Sequence, residues 1–237
     1  MKSYIKDIKR RDVEGLLGYK INQIYKVPDY QRPFSWNKST AEVFISDLFD
    51  KFNNKEELFA GTLIFVENEH ILEIVDGQQR FMNLNIIFAV VRDFFVELGE
   101  RDLVDDINKY IYMKKPLKEE IEFKLISEES NRDFFIKFIQ NPTIKLNSQS
   151  RILNDFDFEM FSQNKKHYLG LRKEHRSIFD AYKTYNQFLF KVMSGLERND
   201  KITFLKEFLS KAIFKINFAE IIVSDDSMAD EIFESIN

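Results

Sequence analysis

The chain has 237 residues, 44% of them hydrophobic and 31% charged, enough to bury a core without covalent staples. It has no cysteine, which excludes disulfides, zinc–thiolate clusters and thiol nucleophiles. With 35 basic against 39 acidic residues and a net charge of −4, it lacks the basic excess of a free-standing DNA-binding module, so any nucleic-acid contact must come through a local patch or another domain.

The N-terminus, MKSYIKDIKRRD, is charged and has no apolar stretch like that of a signal peptide. No apolar run approaches the roughly 20 residues that span a bilayer, so a cytoplasmic chain without membrane contact is expected. Alternation of Tyr19, Ile21, Gln23, Tyr25 and Val27 against Lys20, Asn22 and Lys26 predicts a half-buried strand over 19–27, stopped by Pro28. An aromatic loop follows, Tyr30-Gln31-Arg32-Pro33-Phe34-Ser35-Trp36. Ser39-Thr40-Ala41-Glu42 has the form of a capping box and predicts a helix with Val43, Leu48 and Phe52 inward. Residues 59–66 and 71–75, separated by Glu67-Asn68-Glu69-His70, read as a hairpin.

A long helix is expected next. Phe81, Leu84, Phe88, Val91, Phe95 and Leu98 recur at three- and four-residue steps, with Ile87 and Phe94 widening the stripe and Gly99 as the stop. Residues 121–126 read as a strand, and a helix then runs to Gln140, broken at Asn141-Pro142. Residues 143–166 read as a polar loop. Helices are expected through Ile178, Tyr182, Tyr185, Leu189 and Val192, ending near Gly195, and over 204–209. A strand over 214–223 follows, and then a helix from Asp225. The chain stops at Asn237 inside that pattern, so a further downstream domain is expected. With 25 phenylalanines, aromatic packing should dominate the interior, and any one Phe is weak support for ligand stacking.

The stretch Asp76-Gly77-Gln78-Gln79-Arg80 lies where the second hairpin strand gives way to the long helix. First-turn N–H groups have no partner inside a helix, and the helix dipole places positive potential there. Gly77 would let a ligand approach the backbone, and Arg80 offers a fork suited to phosphate oxygens. Asp76 would either cap the helix or hold a divalent ion beside a phosphate. The competing reading is a cap, a turn and solvated side chains. Gln31 and Arg32 lie just past the end of the preceding strand, and Arg32 is placed either to join Arg80 at a phosphate or to form a salt bridge. Phe34 and Trp36 read as anchors of the loop on the core, while Tyr30 or Trp36 stacking on a base is the weighed alternative.

Three stretches together, VPDYQRPFSW, FAGTLIFVEN and EIVDGQQRFMNLNII, resemble the N-terminal domain family of GmrSD-type modification-dependent restriction endonucleases. That family's usual strings are close to Ile-Pro-x-Tyr-Gln-Arg-x-Tyr-x-Trp, then Gly-Ser/Thr before a hairpin strand, then Ile-Asp-Gly-Gln-Gln-Arg-Leu-Thr-Thr-Leu. The segment Ala229, Ile232, Phe233, Ile236 and Asn237 is similar to a further family stretch. Phe81-Met82-Asn83 departs from Leu-Thr-Thr, so Asn83 would have to supply any hydroxyl-type contact from that turn.

The resemblance implies an α+β fold: a ParB/sulfiredoxin-like core over 1–100, then a mostly helical region over 101–237. It implies a site for a nucleoside triphosphate (GTP or ATP) with Mg2+. Asp76, Gln78, Gln79 and Arg80 would be catalytic, Gly77, Gln31, Arg32 and Arg80 would bind the nucleotide, and Asp76 would hold the metal. Hydrolysis would gate DNA cleavage by an HNH-type nuclease domain in cis or in trans, in phage defence, and oligomers are compatible with this. The alternative is a non-catalytic ParB-like module that binds DNA or protein, with DGQQR serving the fold. No G-x-x-x-x-G-K-[ST] loop or H-E-x-x-H pattern occurs, and His70, His167 and His175 read as surface residues. Glu73, Asp47 and Asp50 could each be a metal- or water-activating carboxylate near the site, but each is more often a solvent-facing residue.

Overall fold

A computed structural model describes residues 5–115, 120–141, 152–153, 156–157 and 165–224. The expected break at Pro142, the helix expected from Asp225 and the segment from Ala229 to Asn237 lie outside the described residues.

Strand β1 (Ile5–Asp12) leads into the short helix α1 (Val13–Leu17), whose first turn is capped by Asp12 accepting from the Gly15 N–H at 2.8 Å. Neither element is legible in the charged N-terminus. Of the alternating stretch 19–27, only Ile24–Lys26 forms a strand, β2, because a turn closed by Ile21 N–H to Gly18 C=O (2.9 Å) uses the residues before it. The inward side holds only at its end: Tyr25 and Val27 are buried, while Tyr19 is 58% exposed.

Helix α2 (Lys38–Asn54) is not capped by Ser39. Asn37 Oδ1 accepts from Thr40 N (2.9 Å) and Thr40 Oγ1 (3.1 Å), which starts the helix two residues earlier. Its buried face is Ala41, Ile45 and Leu48, and Val43 is 57% exposed. Five residues from Leu48, Val43 sits about 140° round the helix and cannot share its face.

The hairpin forms as expected, β3 (Phe59–Asn68) against β4 (Ile71–Asp76), with Glu69 at φ 54 in the turn. The long helix α3 (Gln78–Glu97) stops where Gly99 (φ 76) donates to Val96 C=O and Glu100 N–H to Phe95 C=O. That bond pair is a Schellman closure, and it satisfies carbonyls the helix leaves open. Helix α4 (Arg101–Ile111) runs into β5 (Tyr112–Lys114).

The expected strand over 121–126 divides into β6 (Ile121–Phe123), paired with β5, and β7 (Leu125–Ile126), paired with β2. The division falls at Lys124, whose Nζ is drawn beneath α1 to Leu17 O (2.7 Å) and Gly18 O (2.8 Å). Helix α5 (Glu129–Phe135) continues as a π-helical turn, Ile136–Gln140. Within 143–166, expected to be loop, two-residue strands β8 (Ile152–Leu153) and β9 (Phe156–Asp157) pair, and helix α6 (Lys165–Gly170) begins. Helices α7 (Lys173–Val192) and α8 (Arg198–Lys211) follow, α8 longer than the apolar stretch 204–209 because its first turn is polar. A 3-10 turn (Ile213–Lys215) precedes β10 (Asn217–Val223).

The main sheet has six strands in the order β1-β10-β3-β4-β2-β7. The pairs β1–β10 and β3–β4 are antiparallel, and the other three pairs are parallel, making a mixed sheet in an α+β fold. β10, last in sequence, therefore lies between the first strand and the hairpin. β1 forms one edge, and its Lys6, Lys9 and Arg11 pair with Glu67, Asp7 and Glu220, charges that discourage edge-to-edge association. α3 is buried almost all round, from Phe81 to Phe95. Tyr25, Phe65 and Phe81 bring their rings within 4.5–6.2 Å of one another beneath it. No helix among the described residues is long and apolar enough to cross a membrane.

Candidate functional site

The site is built on the step from β4 to α3. Gly77 takes φ 91, and a Cβ there would lie 2.4 Å from Leu63 Cδ2 and 3.1 Å from Thr62 O, so the turn admits only glycine. The first helical bond is Phe81 N–H to Gly77 C=O (3.0 Å). No side chain caps the helix, so the N–H groups of Gln78, Gln79 and Arg80 have no partner among the described residues. Asp76 is thus not the cap that one reading of the sequence makes it.

Asp76 turns instead to Arg80, accepting from Nη2 at 3.0 Å, and the same nitrogen donates to Thr62 O at 2.7 Å. The guanidinium lies against the backbone of β3. Gly61 (φ 97) makes room for it, since a Cβ there would stand 3.0 Å from Nη1. Arg80 Nε is buried without a partner. The second carboxylate oxygen of Asp76 carries no hydrogen bond among the described residues, and the Asp76 side chain is 27% exposed.

The aromatic loop is stitched to this turn by amides. Gln31 Nε2 donates to Val75 O (2.9 Å), and Gln78 Nε2 donates to Gln31 Oε1 (3.1 Å). Gln79 is fully engaged, accepting from Ser35 N (2.8 Å) and donating to Pro33 O (3.1 Å). The structure therefore brings Gln31, Asp76, Gly77, Gln78, Gln79 and Arg80 together. Arg32 is exposed and forms neither the weighed salt bridge nor a bond to Arg80 among the described residues. Phe34 is buried, and Trp36 packs on it and on Phe44, so both anchor the loop as expected. Tyr30 is 70% exposed.

Of the other candidates, Glu73 pairs with Lys26 (3.2 Å), and Asp47, Asp50, His70 and His167 are exposed. His175 stacks on Phe134 with ring centres 4.4 Å apart. Asn83 points the other way, accepting from the Tyr185 hydroxyl of α7, and so supplies nothing to the turn. Among the described residues no three His, Cys, Asp or Glu side chains cluster as a ready metal cage. A Mg2+ ion needs less, since it binds through one or two carboxylates together with substrate phosphates, and the open oxygen of Asp76 fits that use.

The loop also has an anchor that the sequence gives no sign of. Asp29 Oδ1 accepts from Glu129 N (2.7 Å) and from Arg132 Nη2 (3.3 Å), tying the loop to the start of α5. Glu128, just before it, is buried. Burial pushes its carboxyl above the usual range, opposed by its own backbone N–H, by Asn131 and by the Phe34 N–H of the loop. A hundred residues separate these partners in sequence, and no local pattern marks them.

Comparison with known families places the chain. The family described as GmrSD restriction endonuclease, N-terminal domain, matches residues 13–237, nearly the whole chain, and the chain belongs to that family. No curated protein matches it.

Proposed function

Starting from that membership, we propose that this chain is the nucleotide-responsive component of a restriction system in phage defence, and that the N-terminus of α3 is its phosphate site. One observation carries the reading: the N–H groups of Gln78, Gln79 and Arg80 are uncapped at the start of the 20-residue helix α3. Such a turn is a ready anion site. The ParB/sulfiredoxin-like description of the core, the choice of GTP or ATP, a cytoplasmic setting and gating of an HNH-type nuclease domain come with the family resemblance and belong to the same proposal.

In this reading the three N–H groups hold phosphate oxygens, and Arg80, already fixed by Thr62 O and Asp76, balances their charge at the rim. Arg32, exposed and without an ion pair among the described residues, would swing in from the loop. Asp76 would hold Mg2+ by its open oxygen, and the ion would add charge neutralisation between phosphates. Gln78 is the better of the two amides to orient a water, because its Oε1 carries no hydrogen bond among the described residues while Gln79 spends both ends on the loop. Gln79 then positions the loop.

A second reading is favoured by the same saturation. Four of the motif's side chains already serve the fold, as they would in a non-catalytic module that senses DNA or protein. Isothermal titration with ATP and GTP, with and without Mg2+, separates the two. Binding in the micromolar range, weakened about tenfold or more in Arg80→Ala as for one lost charge-assisted contact, is the expected result. Absence of binding by either nucleotide up to millimolar concentration overturns the proposal in favour of the module.

A further inference from the structure

Several basic side chains among the described residues have acidic partners. On β1, Lys6, Arg10 and Arg11 each meet a carboxylate from another strand or loop. The elbow between α6 and α7 carries a denser basic run. Residues 165–176 read KKHYLGLRKEHR, five cations against the single carboxylate Glu174 in a chain whose net charge is −4. Lys165, Arg172 and Lys173 are exposed and Arg176 half-buried, and none of the four has an ion pair among the described residues. Helix stability does not account for Arg172 and Lys173. Arg172 and Lys173 open the 20-residue helix α7, where a cation opposes the helix dipole. Asp180, one turn on from Arg176, binds the Tyr168 hydroxyl at 2.7 Å and feels the Arg176 charge without an ion pair among the described residues. Leu169, between the two basic runs, is 53% exposed, while Tyr168 and Leu171 beside it pack against the core.

We propose that the α6–α7 elbow is a docking surface for the phosphate backbone of duplex nucleic acid, linked through α5 to the aromatic loop of the candidate site. A cluster of lysine and arginine that meets phosphates by charge alone positions a duplex without reading its bases. The link is made of contacts already in place. His175, inside the cluster, stacks on Phe134 of α5 and sits 3.2 Å from Ser130 O. The same helix holds the loop through Asp29, which meets Glu129 N and Arg132. Load at the elbow therefore reaches the residues that flank Gln31 and Gln79. This linkage rests on the nucleotide-site reading; the surface itself does not.

Fluorescence anisotropy with a labelled 20-base-pair duplex of mixed sequence tests the surface. Four phosphate contacts give a slope of log K against log salt of about −3.6, and the charge-reversed triple variant Arg172→Glu, Lys173→Glu, Arg176→Glu should bind at least tenfold more weakly with a slope near −1. Lys6→Glu, which breaks a paired lysine elsewhere, should bind as the parent does. Equal binding by the triple variant, or equal competition by poly-glutamate, overturns the surface. Trp36, the one tryptophan, sits in the loop and reads out the linkage. Its emission should change with the anisotropy midpoint, and an unchanged spectrum at saturation overturns the link. Arg80→Ala, measured with the same duplex, separates the two readings. Nucleotide binding lost while duplex binding stays intact supports a surface that does not need the nucleotide site, and joint loss from a folded protein overturns it.

Discussion

Glycines 61 and 77 let one guanidinium lie flat against the backbone of β3, and they do so by different means. At Gly77 both the dihedral and the space exclude a side chain, with the Cβ position 2.4 Å from Leu63. At Gly195 the dihedral is similar (φ 82) but nothing lies within 4 Å. Gly195→Ala should therefore cost only the left-handed strain, about 1–2 kcal/mol, while Gly77→Ala should cost more and also displace the first turn. Urea titration of both variants measures the difference, and equal losses would show that Leu63 yields freely. Lys124 gives a second test at this scale. Burial pushes its ammonium down to about 8, with Glu14 opposing. The unfolded chain then binds more protons than the folded one between about pH 8 and the ordinary lysine range near 10.4, so stability should rise with pH across that window. Lys124→Met should remove that rise, and parent and variant curves that stay parallel from pH 8 to 10 would refute it. Of the site residues, those adjacent in sequence were readable because a strand end, a glycine and a helical stripe fix their placement. Glu128 and Lys124 were not, since their partners, the Phe34 amide and the end of α1, come from distant segments.

At the scale of elements, the hairpin and α3 could be read before any coordinates because their periods are long and unbroken. Their neighbours show where periodicity gives way to local bonding. The alternation over 19–27 is real, yet the turn after Gly18 leaves only Ile24–Lys26 free to pair. In α2 two capping signals compete, Asn37 and Ser39, and only geometry decides. Asn37 Oδ1 reaches Thr40 N at 2.9 Å, leaving Ser39 inside the first turn. Asn37→Ala should lower stability by about 1 kcal/mol and Ser39→Ala by only a few tenths. For a chain of this length the first change corresponds to a melting shift of about 2–4 °C. Calorimetry that gave Ser39→Ala the larger shift would return the cap to the serine. Because α2 carries Phe44, the partner of Trp36, fraying of its first turn should also broaden the loop's fluorescence response.

Over the whole molecule, the order of strands is what no local pattern carries. A strand over 214–223 is apparent from its β-branched run, but its place between β1 and β3 depends on the connection through α4–α8 returning it to the middle of the sheet. There β10 uses both edges of its backbone, antiparallel to β1 from Ile5 to Asp12 and parallel to β3 from Phe59 to Val66. Ile221 stands opposite Ile8 on one side and Ile64 on the other. A proline at that position removes a donor that a central strand cannot spare. Ile221→Pro should therefore detach β1 and open the edge of β3, the strand whose Thr62 carbonyl holds Arg80. Its urea transition should lose cooperativity, with a lower slope as less surface remains to be exposed. Ile221→Val, which keeps the backbone donor and loses one methylene, should cost about 0.5–1.5 kcal/mol and leave the slope unchanged. If the proline variant keeps the parent's slope and still binds nucleotide, β10 is not the strand that joins the two ends of the chain into one sheet. Loss of both, beside an intact valine variant, shows that the candidate site depends on a strand contributed some 140 residues after the motif, as the separation of Arg80 from Glu220 requires.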